Sequence, residues 1–272
     1  MIQSFEVAFR KYLNIMSINN SYYMRELKKI GFKFSNINNQ IKFSYFNLHG
    51  YITTLEDLYI LREIFIEQDY KFYYNENCVI WDIGMNVGYS SLFFSQFPNV
   101  ISVYGYEPFI STYNLALDNI AANPSIKSKI IPNNFAISDK DSTETYVYLN
   151  KFRGSSGILG VTPNIQNKIK NGEVEYVKVQ QLRASLVLES IKFQNPNVDI
   201  IIKMDCEGSE FKIIPELLLN CDMKSVVCMI IEWHQHDPIP IINLLEDKGF
   251  LCFAKIINTQ STGLIYSVNK KL

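Results

Sequence analysis

The sequence lacks a long apolar run, an excess of positive charge and a pair of closely spaced cysteines, and each absence excludes a class of protein. No apolar stretch approaches the roughly 18 residues of a membrane-spanning helix, and the N-terminus lacks the basic and apolar regions of a signal peptide. A net charge of −1 without a basic stripe gives no support for nucleic-acid binding. The five cysteines contain no Cys-x-x-Cys pair. We therefore expect a reduced, cytoplasmic protein with no membrane span and no nucleic-acid partner.

A turn rich in glycine, which follows a short apolar run, organises the chain. The run ends in Asp82, and Gly84 and Gly88 come before an apolar-rich segment. The order strand, tight turn, helix is the opening unit of a doubly wound α/β domain. The Gly-x-Gly-x-x-Gly fingerprint of dinucleotide-binding proteins is absent. Because a carboxylate at this strand end would repel phosphate and suit an ammonium group, we predict a zwitterionic ligand.

A second acidic strand end lies one strand later. The strand-like run 100–106 ends at Glu107-Pro108. An acid at the end of the second strand of such a domain accepts hydrogen bonds from ribose hydroxyls, and the interval is near the ~20 residues expected. One acid for an amino group and one for a ribose fit S-adenosylmethionine.

The chain carries three motifs in order: Trp81-Asp82-Ile83-Gly84-Met85-Asn86-Val87-Gly88-Tyr89, then Tyr106-Glu107-Pro108, then Ile202-Lys203-Met204-Asp205-Cys206-Glu207-Gly208-Ser209-Glu210. Together they resemble the motifs of the FkbM-type methyltransferases, and the third is the most specific. Ile231-Glu232-Trp233-His234 and the segment 244–250 resemble the closing strand and helix of that family. The likeness covers roughly residues 60 to 268. It implies a class I S-adenosylmethionine-dependent fold and O-methylation of a sugar or polyketide hydroxyl.

The alternation of apolar runs predicts the same architecture. Strands separated by helices give a mostly parallel sheet, and a short polar link at 258–261 makes the last two strands an antiparallel hairpin. The fold class is therefore α/β, Rossmann-like, with a seven-stranded sheet whose last strand is antiparallel. Strands are predicted near 79–83, 100–106, 130–136, 200–205, 226–232, 250–256 and 262–268, and helices near 89–97, 110–122, 209–219 and 239–248.

Two further regions flank or interrupt this catalytic domain, which spans 71–272. Residues 1–70 are predicted as a mainly helical extension or lid, with helices within 3–30 and 53–69 and irregular chain over 31–48 that contains one strand. Its alternative role is acceptor binding or formation of a homodimer. The insertion 139–197 is predicted as an acceptor lid with strands at 143–149 and 173–182, and an ordinary surface loop is the alternative. Arg153 within it could bind an anionic acceptor such as a nucleotide diphosphate.

The cofactor site is assigned to the carboxyl ends of the first four strands, where ligands bind in open α/β sheets. Asp82 would reach the methionine ammonium, directly or through water, and the glycine turn would lie beneath the methionine. Glu107 would hold the ribose, and the end of the third strand, 134–139, would lie beside adenine. The predicted cofactor-binding residues are Asp82, Gly84, Asn86, Gly88, Glu107, Pro108, Ala136 and Asp205.

Catalytic residues are expected at the ends of the fourth and fifth strands. Attack by a sugar hydroxyl requires a general base within hydrogen-bond reach. His234, which titrates near neutrality, is predicted as that base, and Asp205 and Glu207 complete the predicted catalytic set. Asp205 could instead contact the cofactor amine, and His234 could have a structural role. We expect Lys203 to pair with a carboxylate, since an unpaired buried lysine is costly.

Ligands for a divalent ion could come from Asp205, Glu207, Glu232, His234 and Asp237, but these residues come from different strands and sequence spacing does not establish a site, so no metal is predicted. The sequence predicts a S-adenosylmethionine-dependent O-methyltransferase, with S-adenosylhomocysteine as product. The predicted acceptor is a small molecule, a nucleotide-linked sugar or glycan used in capsular or lipopolysaccharide biosynthesis. The alternatives are a natural-product hydroxyl of a polyketide or macrolide, a nicotinamide-dependent oxidoreductase and a non-catalytic nucleotide-binding module.

Overall fold

The computed structural model describes residues 18, 21–37, 40–149, 153, 174–234, 236–258 and 262–270. The helices of these residues are α1 (Tyr22–Lys29), α2 (Leu55–Arg62), which continues into a π-helical turn (Glu63–Glu67), α3 (Tyr89–Ser95), α4 (Ile110–Ala121), α5 (Ala184–Gln194), α6 (Glu210–Asn220) and α7 (Ile239–Asp247). The strands are β1 (Lys33–Ile37), β2 (Gln40–Tyr45), β3 (Leu48–Ile52), β4 (Cys78–Ile83), β5 (Val100–Tyr106), β6 (Ile130–Asn133), β7 (Ala136–Ser138), β8 (Ser142–Tyr148), β9 (Glu175–Arg183), β10 (Asp199–Asp205), β11 (Val226–His234), β12 (Phe250–Asn258) and β13 (Thr262–Asn269).

A seven-stranded sheet forms the centre of the structure, in the order β12-β13-β11-β10-β4-β5-β6. The pairs from β11 to β6 are parallel, and β13 is antiparallel to both of its neighbours. The predicted fold class, a mostly parallel α/β sheet whose last strand is antiparallel, is confirmed. The carboxyl ends of β4, β5 and β10 therefore meet at one edge of the sheet, where the predicted site residues lie.

The central strands are mostly apolar because helices cover both faces of the sheet. Val79 and Trp81 of β4 are fully buried against α5, α6 and α7. Ile80 between them points to the other face, into a core that it shares with α1, α2, α3 and the strands β2 and β3. Because successive side chains of a strand point to opposite faces of the sheet, β4 contributes to two separate cores.

The N-terminal region contains more strand than we predicted. In place of irregular chain over 31–48, β1, β2 and β3 form an antiparallel sheet. Ile41 and Phe43 of β2 are buried on one face of it. Asn119 of α4 and Asn123, which follows that helix, accept hydrogen bonds from the backbone of β3 at 2.9 and 2.8 Å, which fixes this small sheet to the main domain. Most of the helix predicted within 3–30 lies outside the described residues, and α1 is its final part.

The predicted start of α2 is confirmed. The side chain of Thr54 accepts a hydrogen bond from the backbone N–H of Asp57, and Asp57 accepts one from the backbone of Thr54 in return, which is a capping box. Asp57 is 1% exposed, and its carboxylate also forms an ion pair with Arg153 of the insertion.

The insertion forms a sheet in the order β7-β9-β8. Both predicted strands are present, as β8 and β9. The helix α5 was not predicted, although Ala184, Leu188 and Ile191 are buried along one face at helical spacing. Of the polar stretch between β8 and β9, only Arg153 lies within the described residues before position 174.

Candidate functional site

A cavity opens at the carboxyl ends of β4, β5 and β10, which is where a doubly wound fold binds its ligand. Its wall combines apolar groups of Phe109, Phe135 and Ile137 with the carboxyl groups of Glu107, Asp205 and Glu207. Six of the predicted cofactor-binding residues contribute to the wall: Gly84, Asn86, Glu107, Pro108, Ala136 and Asp205.

The turn after β4 requires glycine at its first position. Gly84 has φ +78°, and a Cβ atom there would lie 1.8 Å from the backbone oxygen of Asp205. Its N–H and that of Met85 both donate to the backbone oxygen of Tyr106 at 3.0 Å. The turn is therefore held between β10 and β5. Gly88, with φ +86°, is the N-cap of α3 and lies against Ala116, and its expected place in the cofactor site stays a prediction.

Glu107 presents a buried carboxyl group to the cavity. It is 6% exposed and accepts a hydrogen bond from the backbone N–H of Phe109 at 2.9 Å. Burial raises the pKa of Glu107 to about 7, although hydrogen bonds from the backbone of Phe109 and Asn86 act in the opposite direction. Asn134 fixes the local backbone by donating to the carbonyl oxygens of Glu107 and Pro108 at 2.8 and 3.0 Å. This carboxyl group is suited to accept hydrogen bonds from hydroxyl groups in the cavity.

Asp82 lies behind the turn and not in the cavity. It is 0% exposed and accepts hydrogen bonds from Ser90 and Ser91 of α3 at 2.7 and 2.6 Å. Its other oxygen lies 3.3 Å from Nζ of Lys203. The carboxylate of Asp82 is thus enclosed by Ser90, Ser91 and Lys203, and the expectation that Asp82 itself contacts a cofactor ammonium stays a prediction. Asp82 holds α3 and Lys203 in place, and a water-mediated contact also stays a prediction.

Lys203 is the cation of this layer, and its predicted pairing is confirmed. Nζ donates to the backbone oxygen of Gly84 at 2.6 Å and lies 3.6 Å from Asp205. Burial alone would lower the pKa of Lys203, but Asp82 and Asp205 outweigh it and raise the pKa. The lysine therefore stays charged and connects the turn after β4 to the end of β10.

Four carboxylates surround His234 at the end of β11. Nδ1 lies 3.2 Å from Glu210. Nε2 lies 3.6 Å from Glu232 and 3.9 Å from each of Asp205 and Glu207. The structure thus brings together all three predicted catalytic residues and adds Glu210 and Glu232. We call these five residues the His234 cluster.

The carboxylates of the His234 cluster affect the charge of its histidine. Burial alone would lower the pKa of His234, but hydrogen bonding to Glu210 and Glu232 raises it well above the usual range. A charged imidazolium has no free lone pair to accept a proton, which argues against His234 as the general base, and its predicted catalytic role stays a prediction. Burial also raises the pKa of Glu207 to about 8. Glu207 has φ +52° and precedes Gly208 at φ +98°, a strained turn of the kind found at functional sites.

Sequence reasoning missed Tyr70, which reaches the His234 cluster from the N-terminal region. Its hydroxyl donates to Asp205 at 3.2 Å and to Glu232 at 3.4 Å. Nothing in the sequence around Tyr70 marks it, because its partners lie more than a hundred residues away.

One group of the described residues has the spacing of a metal site. Single ligand atoms of Asp205, Glu207 and His234 lie within 4.8 Å of one another. A divalent cation could bridge them, since oxygen and imidazole nitrogen ligands suit such ions. The prediction that no metal is used is untested by this spacing.

Comparison with known proteins identifies the class of this chain. The sequence model of the "Methyltransferase FkbM domain" matches residues 82–252 of 272. The chain therefore belongs to the FkbM methyltransferase family and is a S-adenosylmethionine-dependent methyltransferase, as the three motifs predicted. No curated protein matches it significantly. Within the described residues, none of the helices has the length and apolar character to cross a membrane.

Solved structures with a similar fold are remote in sequence. A precorrin-6y C5,15-methyltransferase from Geobacter metallireducens GS-15 is 13% identical with a TM-score of 0.44, covering 80% of this chain and 90% of that one. A methyltransferase FkbM from Methylobacillus flagellatus KT is 13% identical with a TM-score of 0.46, covering 72% of this chain and 44% of that one. A SAM-dependent methyltransferase from Agrobacterium tumefaciens is 8% identical with a TM-score of 0.45, covering 87% and 72%.

Proposed function

We propose that this protein methylates a hydroxyl group of a sugar, and that the acceptor is a nucleotide-linked sugar used in capsular or lipopolysaccharide biosynthesis. The observation that supports this reaction is the His234 cluster beside the cofactor cavity. Asp205 and Glu207 line the cavity itself. Their oxygens can accept hydrogen bonds from neighbouring hydroxyl groups of a sugar ring, and one of them can take the proton that a hydroxyl must lose.

We propose one orientation for the cofactor in the cavity. Glu107 would accept hydrogen bonds from the ribose hydroxyls, and the apolar wall formed by Phe135 and Ala136 would hold adenine. The absence of a Cβ at Gly84 leaves the turn pressed against β10, so that the methionine end would lie over the turn and point toward Asp205. S-adenosylmethionine supplies an activated methyl group. The protein residues mainly need to align the acceptor and remove its proton.

We assign the general base to Glu207. Its pKa of about 8 lies near the operating pH, where a base is most effective. The His234 imidazolium lies 3.9 Å from Glu207 and would orient the carboxylate and limit the build-up of negative charge. Asp205, held by Lys203 and Tyr70, would bind a second hydroxyl of the acceptor.

The proposal is tested by binding and then by turnover. Calorimetric titration of the purified protein with S-adenosylhomocysteine, and with NAD for comparison, tests the cofactor. Incubation with S-adenosylmethionine and separate sets of nucleotide sugars, glycans and polyketide alcohols, followed by mass spectrometry, identifies the acceptor by the gain of one methyl group. Methylation of a nucleotide sugar that is lost in Glu207→Gln supports the proposal. Transfer to an amine or a carbon atom, or only to a polyketide, contradicts it.

A further inference from the structure

Two buried polar atoms of complementary character remain without a hydrogen-bond partner among the described residues at the cavity: Oδ1 of Asn86, an acceptor, and Nε of Arg153, a donor. Both residues line the cavity that also contains Gly84 and Glu107. An unpartnered buried donor or acceptor costs about 1–3 kcal/mol. The presence of both unpartnered atoms at one cavity therefore indicates a ligand that carries both an acceptor and a donor.

The guanidinium of Arg153 is fixed before any ligand arrives. Its side chain is only 6% exposed, and Nη2 forms an ion pair with Asp57 and a hydrogen bond of 3.4 Å to Thr54. Asp57 is itself held by the backbone of Thr53 at 2.6 Å and of Thr54 at 2.9 Å. The capping box of α2 thus positions an arginine of the insertion at the cavity. The remaining N–H donors of the guanidinium are suited to a carboxylate, a group that arginine binds through parallel hydrogen bonds.

Asn86 is fixed in a comparable way. It has φ +50°, a left-handed conformation that Asn tolerates better than most residues. Its backbone N–H interacts with the carboxyl group of Glu107 and helps to lower the pKa of that group. The backbone of Asn86 is therefore held close to the residue that we assign to the ribose, and its side-chain oxygen, at the same cavity, can accept a hydrogen bond from an ammonium group. Asp82, the residue first expected to do this, is enclosed by Ser90, Ser91 and Lys203.

We infer that Arg153 and Asn86 bind the amino-acid end of the cofactor, Arg153 its carboxylate and Asn86 its ammonium group. The inference rests on the cofactor assigned above. The carboxylate is the one anionic group of S-adenosylmethionine. An anionic group of the acceptor, such as a diphosphate, has the same chemistry and is the competing source, which the experiment separates.

The test uses three ligands that differ only at the amino-acid end. S-adenosylhomocysteine carries both charged groups, its decarboxylated analogue keeps only the ammonium, and 5′-methylthioadenosine lacks both. Each is titrated by calorimetry into the full-length wild type, Arg153→Gln, Asn86→Gly and a control, Arg183→Gln. Arg183 is an exposed arginine of the same insertion. Asn86→Gly removes the amide and keeps the left-handed backbone accessible.

Arg153→Gln is expected to weaken the binding of S-adenosylhomocysteine by about 10- to 150-fold, which corresponds to the loss of one hydrogen bond to a charged group. The affinity for the decarboxylated analogue should not change. Asn86→Gly should weaken both of these ligands and spare 5′-methylthioadenosine. Arg183→Gln should change none. Unchanged binding of 5′-methylthioadenosine also shows that a variant keeps a folded cavity.

Three results would overturn the inference. Arg153→Gln could leave the affinity for S-adenosylhomocysteine unchanged. It could also weaken the binding of all three ligands equally, and that result would indicate a structural role only. It could also raise KM for a nucleotide-sugar acceptor without changing cofactor affinity, which would assign the anion to the acceptor. Failure of the wild type to bind S-adenosylhomocysteine is a different outcome, because it removes the cofactor assignment itself.

Discussion

The binding of the cofactor should depend on pH through a single carboxyl group. Glu107 is 6% exposed, and burial raises its pKa to about 7. Below that pKa the free protein carries a proton on Glu107, and a ribose hydroxyl can donate fully only to the ionised form. Below pH 7, binding therefore requires Glu107 to release its proton first. Above pH 7, Glu107 is already ionised and no proton has to be released. Affinity for S-adenosylhomocysteine should rise as the pH rises through 7.

The size of the effect follows from the pKa. With a pKa of about 7, roughly one molecule in eleven has an ionised Glu107 at pH 6 and roughly ten in eleven at pH 8. The dissociation constant of the wild type should then fall about tenfold between these two values. Glu107→Gln removes the charge and keeps the shape. The loss of one charge-assisted hydrogen bond, about 2 kcal/mol, should weaken binding about 30-fold at pH 8.

Calorimetric titration with S-adenosylhomocysteine at pH 6, 7 and 8 measures both quantities. Glu107→Gln should show little dependence on pH, whereas the control Glu189→Gln, an exposed residue of α5, should behave like the wild type. A wild-type affinity that is constant from pH 6 to 8, or a Gln variant that keeps the full dependence, would refute the assignment of Glu107 to the ribose.

Three further predictions concern the turn, the base and metal ions. Gly84→Ala should lower the melting temperature far more than Gly249→Ala, because both positions have positive φ but only the first places a Cβ 1.8 Å from a backbone oxygen, and nothing lies within 4 Å of the second; equal shifts would contradict the close approach. With Glu207 as base, kcat should rise with pH and level off above about 8, and Glu207→Gln should lower kcat about 10²- to 10⁴-fold and abolish this dependence without changing cofactor affinity. Dialysis against a chelator should change kcat by less than about twofold if no metal takes part; a larger loss that one divalent ion restores would instead assign Asp205, Glu207 and His234 as its ligands.

The main sheet could be predicted because its signals are local. β5 was expected at 100–106 and lies at Val100–Tyr106, since a parallel strand buried on both faces is a continuous apolar run that ends at a polar residue. The turn after β4 was equally clear, because the positive φ of Gly84 is a local requirement for glycine, although the close approach of Asp205 to this position was not visible in the sequence.

The small N-terminal sheet gave weaker signals. Its strands are five or six residues long, and β1 is mostly exposed. The hairpin between β2 and β3 turns at Phe46, a residue with φ +49° where Asn or Gly would be usual. Much of what holds this sheet, such as the amides of Asn119 and Asn123, comes from another part of the chain.

The candidate site shows the same limit. The residue types at each strand end were predicted, but the charge of His234 depends on carboxylates that arrive from β10, β11 and α6. The enclosure of Asp82 depends on Ser90, Ser91 and Lys203. Which groups are shielded and which face the cavity is decided by packing between elements, and no single motif contains that information.

Lys203 has a consequence for how this sequence can diverge. It lies opposite Asp82 in the register of β10 and β4, and the two charges are enclosed together. Loss of Lys203 alone leaves the Asp82 carboxylate buried without a counter-ion, and loss of Asp82 alone leaves Lys203 with only the more distant Asp205. Breaking a buried pair in this way costs about 3–5 kcal/mol, whereas replacement of both residues by apolar residues of similar volume is often close to neutral. Positions 82 and 203 are therefore constrained to be exchanged as a pair, and an evolutionary path that alters one first passes through an intermediate of low stability.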